Sequence, residues 1–322
     1  MPSLLFPDQT GSPPDVAIVI VSFRSQADIA ACLTALEKST WAHFRVAICE
    51  NGGGAAWESA RHYLPATLLG GQPVEILQAP GNLGYAGGIN FAIQNIAPAD
   101  AYWILNPDTQ PMPNTLEVML ARLRRGDCTA VGHDLVDENG ILGSRGGWWR
   151  SWSARAISIG KGKPRVTDQD AGAFEASIDY IVGASMLISR GFLERAGPMR
   201  EDYFLYCEEV EWCLRATRRG ERLGYAPEAV VMHAQGTSTG GGGGLRTRSK
   251  VSVYLAERSR ILLTRDLYPG RLPVTAILML LHVLIRYGKA HAWRQMSYAI
   301  SGWLAGLRNE RGKPVWLEKA LL

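Results

Sequence analysis

The sequence predicts an α/β fold, in which helices cover both faces of a mostly parallel central sheet and a helical region follows at the C-terminus. The run VAIVIVSF (16–23) is β-branched, as in strands that are buried on both faces. Such runs alternate with helical patterns over residues 16–125, which is typical of parallel sheets. Residues 251–322 have a helical pattern throughout, interrupted at Pro269 and Pro273.

The elements of the first half of the predicted sheet follow one another at short intervals. Ser25 is placed to cap the first helix, whose apolar face uses Ile29, Cys32, Leu33 and Leu36. The remaining elements are strands at 44–54, 74–80 and 101–108, a short helix near 55–64, and a Gly-rich turn that runs into a helix at 81–96.

The second half has a less regular pattern. The predicted elements are a helix from Thr115 to about Arg125, a strand and hairpin at 129–143, a loop or flap at 144–175, a strand and helix at 179–197, a helix from about Glu208, and one or two short strands at 222–238. Five successive glycines within 236–250 predict a mobile tract, because glycine loses the most backbone entropy when it is fixed.

Composition and charge limit the classes of protein. A chain of 322 residues with 47% hydrophobic and 20% charged residues can bury a core, which excludes a disordered protein. Residues 245–322 carry 14 basic and 4 acidic side chains (net +10), whereas residues 1–244 carry 20 and 26 (net −6). Five scattered cysteines predict reduced thiols in a cytosolic protein. Residues 1–15 lack a signal-peptide pattern and are expected to form a flexible lead-in.

Each of the first four predicted strands ends in polar or Gly-rich residues. In open parallel sheets, ligands bind outside the carboxyl ends of the strands, so four such ends predict a binding site at one edge of the sheet. Asp108 is therefore expected at the rim of a cleft. The four ends are Ser22, Glu50-Asn51-Gly52, Gly81-Asn82-Leu83-Gly84 and Asn106-Pro107-Asp108.

The segment FLYCEEVEWCLR brings together Glu208, Glu209 and Glu211. Like charges this close need a cation, an arginine partner or a role in proton transfer, and the structural alternative is a solvated helix start. His233 follows the apolar residues AVVM, and it is either structural or a ligand beside an Asp-bound cation.

Two common phosphate-binding patterns do not fit. GNLGYAGG spaces its glycines as G-x-x-G-x-x-G after the third strand, so a Rossmann-type oxidoreductase is a weak alternative. A Walker lysine motif is missing too, so phosphate would be held by a metal and by basic side chains. Arg246, Arg248 and Lys250 follow the glycine tract as candidates for a lid over a diphosphate, with a surface loop as the alternative.

The motifs, taken together, resemble the inverting nucleotide-sugar glycosyltransferases of family 2, which have the GT-A fold, and especially their rhamnosyltransferase-like branch. The resemblance covers residues 16–265 and rests on an ordered set of motifs. These are VIVSFRS, CENGGG, GNLGYAGGIN, LNPDT, VGASMLISR, FLYCEEVEWCLR, HAQGTS and YLAERSRILL.

This resemblance implies how the donor would be held. Asp108 looks like the metal-binding acid of the family's Asp-x-Asp motif, with Asn106 in place of the first acid. His233 matches a position that completes the metal or diphosphate site, and the implied cofactor is Mg²⁺ or Mn²⁺. The other implied donor-binding residues are Ser22, Glu50 and Asn82 around the nucleoside, Gly84 beneath it, and Arg246 and Arg248.

The resemblance also implies a general base. Glu209 matches the acid that deprotonates the acceptor hydroxyl, and Glu208 and Glu211 remain alternatives. Gly183 and Trp212 are expected to support the acceptor side.

These expectations combine into one reading of the chain. Residues 16–245 would be a GT-A domain that transfers a sugar from a nucleoside-diphosphate sugar, either dTDP-rhamnose or a UDP-sugar, to a glycan or lipid-linked polysaccharide precursor. Residues 246–322 would be a basic helical region. The alternative is a non-catalytic nucleotide-sugar-binding protein with a degenerate site, because Asn106 replaces an acid.

The C-terminal region is expected to meet either a membrane or protein. Its apolar run Val274 to Leu281 is shorter than a bilayer requires, but the aromatic and cationic residues around it suit an interface. Packing on the catalytic domain or in a homodimer is the alternative, and nucleic acid is not an expected partner. The enzyme is expected in the cytoplasm, at the inner face of the plasma membrane.

Overall fold

The computed structural model describes residues 13–166, 170–233 and 244–319. The strands are β1 (Val16–Ser22), β2 (Phe44–Glu50), β3 (Val74–Gln78), β4 (Ala101–Leu105), β5 (Thr109–Pro111), β6 (Ala130–Val136), β7 (Leu142–Ser144), β8 (Gly147–Arg150), β9 (Arg155–Ser158), β10 (Ser185–Ser189) and β11 (Leu223–His233). The helices are α1 (Gln26–Leu36), α2 (Gly54–Tyr63), α3 (Gly84–Gln94), α4 (Thr115–Leu123), α5 (Ala171–Glu175), α6 (Arg190–Ala196), α7 (Glu208–Arg218), α8 (Lys250–Leu267), α9 (Leu272–Lys289), α10 (Trp293–Leu307) and α11 (Val315–Lys319).

The central sheet has the strand order β3-β2-β1-β4-β10-β6-β11-β5, with β7 paired to β6. The first four strands along the chain are mutually parallel, as their buried, β-branched runs predict. Strand β10 then pairs antiparallel with both β4 and β6, whereas β6 and β11 are parallel. The sheet is thus mixed but mostly parallel in its first half.

Two regions differ in detail from the expected elements. The region 144–175, expected as a loop or flap, contains the β8–β9 hairpin, which pairs apart from the central sheet. Within the expected region 222–238, the described residues form one strand, β11, up to His233, with a register shift between Ala226 and Val230; residues 234–238 lie outside the described residues. Ser25 precedes α1 but makes no capping bond; its Oγ lies 3.2 Å from Ser22 Oγ.

The C-terminal helices share a core with the α/β part. Ile261 of α8 and Met279 of α9 belong to the same buried cluster as Val19 of β1. Arg258 of α8 is 1% exposed and donates from Nη2 to the carbonyl oxygen of Tyr203 at 2.8 Å. The helices that follow residue 245 therefore share buried residues with the sheet and do not pack as a separate unit.

Helix α9 is only partly covered. The stretch Pro269–Lys289 is long and apolar enough to cross a membrane by length and composition, and 28% of its most apolar window is buried. Its buried face, which includes Thr275, Met279 and Val283, packs on the protein, while the opposite face exposes apolar side chains.

Candidate functional site

A cavity of about 880 Å³ opens at the carboxyl ends of β1, β2 and β4, and we call it the strand-end cavity. Strand β1 pairs in parallel with both neighbours, so Ser22 lies opposite Glu50 and Ile20 opposite Leu105. The three strands therefore end at one edge of the sheet. The lining residues that follow or end these strands are Ser22, Asn51, Asn106, Pro107 and Asp108.

Asp108 and His233 meet in the strand-end cavity because β5 pairs with β11. Thr109 lies opposite His233 in this antiparallel pair, which brings the preceding Asp108 to the end of β11. Thr109 Oγ1 donates to the carbonyl oxygen of Asn106 at 2.6 Å and closes the turn that carries the acid. His233 Nε2 lies 3.3 Å from Asp108 Oδ1, and both side chains are largely buried.

The polar atoms around Asp108 fit a divalent cation that is shared with a substrate. Carboxylate and imidazole are both ligands of Mn²⁺ and related ions. Asn106 lines the same cavity, and its buried Oδ1 has no hydrogen-bond partner among the described residues. Within residues 13–166, 170–233 and 244–319, no cluster of three or more His, Cys, Asp or Glu side chains could hold a metal. A cation at Asp108 would therefore take further oxygen ligands from water or from a substrate such as a diphosphate.

Glu50 is fully buried and lies behind the cavity wall. Its Oε2 accepts a hydrogen bond from Ser22 Oγ at 2.5 Å, and its Oε1 accepts from the backbone N–H groups of Arg24 and Gly52 at 3.1 and 2.7 Å. The carboxylate thus ties the turn after β1 to the turn after β2. Glu50 positions Ser22, which lines the cavity, and does not line it itself.

Gly84 allows the start of α3 to approach the wall of the strand-end cavity. Its φ is +74°, and a Cβ there would lie 2.2 Å from the carbonyl oxygen of Phe204. Two amide side chains hold this turn. Asn82 Oδ1 accepts from Gly84 N at 3.0 Å, and Asn51 Nδ2 donates to Gly84 O at 2.9 Å. Asn82 and Gly84 both line the cavity.

A second cavity, of about 580 Å³, lies beside the first, and we call it the helical cavity. Its lining comes from β9, from α7 and the turn before it, from α8 with Arg248 just ahead of it, and from α9. The two cavities share the lining residues Tyr206, Arg248, Ser252 and Ala256, so they are separated by one common wall.

Glu209 lines the helical cavity near a residue of the strand-end cavity. A Cβ on Gly183 would lie 3.3 Å from Glu209 Cγ and 3.5 Å from Tyr85 Cε1. Tyr85 lines the strand-end cavity and donates its hydroxyl to the carbonyl oxygen of Gly183. Glu209 and Tyr85 thus lie side by side over Gly183, with one side chain in each cavity.

Burial favours the protonated forms of the acidic side chains around Gly183. Burial raises the pKa of Glu209, although backbone N–H groups at the start of α7 oppose the shift. Burial, and then the charge of Glu209, raise the pKa of Glu208 well above its usual value. Burial, followed by the charges of Glu208, Glu209 and Asp108, holds the pKa of Tyr85 well above its usual range. A carboxylate with a raised pKa at a cavity edge is suited to accept a proton near neutral pH.

The other acidic candidates have different surroundings. Glu208 is 3% exposed, and its Oε2 has no hydrogen-bond partner within the described part of the chain. Glu211 is also buried, and its Oε1 pairs with Arg215 Nε at 2.8 Å. Trp212 is fully buried and donates from Nε1 to Gly197 O at 2.8 Å. Of the predicted acceptor-side residues on α7, Glu209 alone lines a cavity.

The predicted lid is described only in part. Residues 234–243, which hold four of the five successive glycines, lie outside the described residues. Arg246 donates from Nε to Ala290 O at 2.7 Å and lines neither cavity, whereas Arg248 lines both. Lys250 packs over the Trp316 ring, 4.1 Å from its centroid.

Sequence reasoning missed several residues of the strand-end cavity. Tyr85 lies within the GNLGYAGG motif and could have been found there. Tyr206 likewise lies within the FLYCEEVEWCLR motif, whereas others, such as Lys161 and Leu317, come from distant segments with no local signal.

Known proteins with similar sequences are glycosyltransferases. The model of the family described as glycosyltransferase like family 2 matches residues 13–260. A low-salt glycan biosynthesis hexosyltransferase of Haloferax volcanii is 23% identical over 308 residues, which cover 93% of this chain and 93% of that protein. An N-acetylglucosaminyl-diphospho-decaprenol L-rhamnosyltransferase of Mycobacterium tuberculosis is 23% identical over 249 residues, 69% of this chain and 77% of that protein.

Solved structures with similar folds confirm the predicted GT-A architecture. The mannosyltransferase PcManGT of Pyrobaculum calidifontis, in complex with GDP-Man and Mn²⁺, has a TM-score of 0.55 at 14% identity, over 96% of this chain and 91% of that one. GalNAc-T7 with UDP, GalNAc and Mn²⁺ has a TM-score of 0.61 at 14% identity, over 82% of this chain and 49% of that one. The chain thus spans about half the length of GalNAc-T7. At these identities the likeness is one of fold.

Proposed function

The chain belongs to the glycosyltransferase-like family 2, and from that membership we propose that it transfers a sugar from a nucleoside-diphosphate sugar to an acceptor hydroxyl, with inversion at the anomeric carbon. The observation that supports this most directly is the pair of adjoining cavities. Asp108 and His233 lie in one, and Glu209 lies in the other, where it packs against Gly183 next to Tyr85.

The strand-end cavity is proposed to bind the donor. Asp108, His233 and the unsatisfied oxygen of Asn106 would hold a divalent cation, which, when bound, offsets the negative charge that builds on the departing diphosphate. Ser22 and Asn82 would contact the nucleoside, with Glu50 holding Ser22 from behind. The mannosyltransferase and GalNAc-T7 structures, with Mn²⁺ beside a nucleotide or nucleotide sugar on this fold, support the same use here.

Glu209 is proposed to act as the general base. It would take the proton from the acceptor hydroxyl as that oxygen attacks the anomeric carbon from the side opposite the diphosphate. Its raised pKa makes it a stronger base than an ordinary glutamate, and the reaction then needs a pH at which it is ionised. Rates should therefore fall as the pH drops through this raised pKa.

The donor sugar and the acceptor are proposed by analogy. The relatives are a hexosyltransferase and a rhamnosyltransferase, so dTDP-rhamnose and UDP-sugars are the donors to test first. The name of the mycobacterial relative describes a lipid-linked acceptor, which supports a glycan or lipid-linked precursor here. We place the enzyme in the cytoplasm, at the inner face of the plasma membrane.

Calorimetry with a panel of nucleoside diphosphates and sugar nucleotides, with and without Mn²⁺, tests the donor site. We expect one nucleotide to bind more tightly with Mn²⁺. Asp108→Asn should reduce that binding by about 10–100-fold or more, because it removes a charged ligand of the cation, and the loss of even an outer-shell partner costs about 10–100-fold in metal affinity. Glu58→Gln, at an exposed position on α2, serves as the charge-matched control.

Two results would contradict this assignment. One is a nucleotide affinity that changes neither when Mn²⁺ is added nor in Asp108→Asn. The other is metal-dependent nucleotide binding without transfer or hydrolysis of any donor sugar, which would favour a degenerate binding protein.

A further inference from the structure

The helical cavity has an excess of positive charge. Arg260 is already used structurally, because it pairs with Glu257 at 2.8 Å and donates to the carbonyl oxygens of Ser153 and Ala154. Once that pair is set aside, the remaining charged lining residues are Glu209 and three arginines, Arg155, Arg248 and Arg286.

These three arginines have no carboxylate partner among the ion pairs of the described residues. The buried Nε of Arg248 also has no hydrogen-bond partner in that part of the chain. Arg286 lies 5.7 Å from the Tyr287 ring centroid, and Arg155 is exposed on β9. Unpaired guanidinium groups that converge on one cavity are typical of phosphate-binding sites.

The pKa of His282 on α9 is affected by the positive charge of the same cavity. Burial, and then the charges of Arg260, Arg155 and Arg286, lower the pKa of His282. The imidazole is therefore neutral near pH 7 and adds no positive charge of its own to the cavity.

We propose that the helical cavity binds the acceptor through a phosphate or diphosphate group, with Arg155, Arg248 and Arg286 as the anion-binding residues. This inference rests on the proposed function, because Glu209 of the same cavity supplies the base. The acceptor hydroxyl would lie next to Glu209, and the anionic group would lie among the three arginines of the same cavity.

The structure favours a lipid-linked form of this acceptor. Helix α9 contributes His282, Arg286 and Tyr287 to the cavity. The same helix exposes apolar side chains within a turn of them, namely Leu278 (42% exposed), Leu281 (50%) and Ile285 (56%). A diphosphate bound at Arg286 would thus place an attached isoprenoid chain along an apolar surface that the protein leaves open. A soluble sugar phosphate shares the anionic group but has no use for this surface.

The test uses the full chain, without donor or metal and with EDTA present, and the probes are farnesyl diphosphate and inorganic pyrophosphate. We expect farnesyl diphosphate to bind, and to bind more tightly than pyrophosphate. Arg155→Gln and Arg286→Gln should each weaken this binding about tenfold, the size of a lost charge-assisted hydrogen bond. Arg125→Gln, at an exposed position that lines neither cavity, should bind as the wild type does.

Three outcomes would overturn the proposal. The first is farnesyl diphosphate binding that is unchanged in both arginine variants. The second is displacement of the probe by the nucleoside diphosphate that binds best, because the probe would then occupy the strand-end cavity. The third is equal affinity for both probes, which rejects the lipid-linked form. A wild-type protein that binds no nucleotide but binds farnesyl diphosphate through Arg155 and Arg286 would instead refute the proposed donor site.

Discussion

The strand-end and helical cavities share a wall but are built in different ways. The first is formed largely by turns that follow neighbouring strands, and its acid, Asp108, lies beside His233 at the end of a strand pair. The second is formed by a β-hairpin and by helices α7, α8 and α9, and arginines dominate its charge. We propose a nucleotide for the cavity at the sheet edge and a second, anionic substrate for the cavity among the helices.

The wall between the cavities is where the two substrates would meet. The position of a Cβ on Gly183 is close both to Glu209, which lines the helical cavity, and to Tyr85, which lines the strand-end cavity. Tyr85 stays protonated, so the carboxylates proposed to act in the reaction are Asp108 in the strand-end cavity and Glu209 in the helical cavity. The comparison therefore predicts a separation of effects, in which changes at Glu209 alter turnover and changes at Asp108 alter donor binding.

The largest expected effect comes from Glu209→Gln. Loss of a general base reduces turnover by about 10²–10⁴-fold, while donor binding in the neighbouring cavity should be retained. Initial rates of transfer and calorimetry with the donor measure the two effects separately. Glu194→Gln, at an exposed position on α6, is the matched control.

If Glu209→Gln lowered donor affinity as much as turnover, the predicted separation of effects would be wrong, because Glu209 would then belong to the donor cavity. Wild-type rates in this variant would assign the base to another group. Glu208 would be the next to test, since its carboxylate is buried nearby on the first turn of α7.

Part of the strand-end cavity could be predicted from the sequence because strands and the polar residues that end them are local signals. Apolar runs predicted β1 and β4, and parallel pairing brought their polar ends together. Asp108 and Asn82 were found this way, as was the helix that starts at Glu208. The family assignment and the fold class were confirmed.

The helical cavity could not be predicted because its residues come from segments far apart in the sequence. Arg155 lies on a hairpin expected as a loop or flap, and Arg286 lies on a helix considered for membrane contact or for packing on protein, not for binding a substrate. Sequence also could not show that Glu50 would turn away from the cavity, or that Trp212 would enter the core. These outcomes depend on tertiary packing, which a pattern of residue types does not record.

A smaller effect is expected from Gly84→Ala, which tests how the donor side is shaped. The new Cβ would meet the Phe204 carbonyl oxygen at 2.2 Å, in a backbone conformation that alanine avoids. We expect a loss of about 3 kcal/mol in the free energy of unfolding, with weaker donor binding. Gly53→Ala is the control, because Gly53 has a φ of +88° but no atom near its would-be Cβ.

Chemical denaturation of both variants separates the two causes. Gly53→Ala should cost only about 1 kcal/mol, the strain of a positive φ alone. If the two variants lose equal stability, the contact between Gly84 and Phe204 does not shape the cavity, and the donor wall is held by the amides of Asn51 and Asn82 instead.

The smallest effect is expected from Glu208→Gln, which tests the electrostatics behind the common wall. Because burial raises the pKa of Glu208 in the folded chain, the native state keeps its proton to a higher pH than the unfolded state does. The wild type therefore loses stability as the pH rises through that raised pKa, and a neutral glutamine avoids this loss. We expect Glu208→Gln to be more stable than the wild type by about 1–2 kcal/mol at pH 8 and by less at pH 5. Thermal unfolding at the two pH values, with Glu58→Gln as control, measures the difference; a variant that is less stable at pH 8 would show that the carboxylate of Glu208 stabilises the wall in its ionised form.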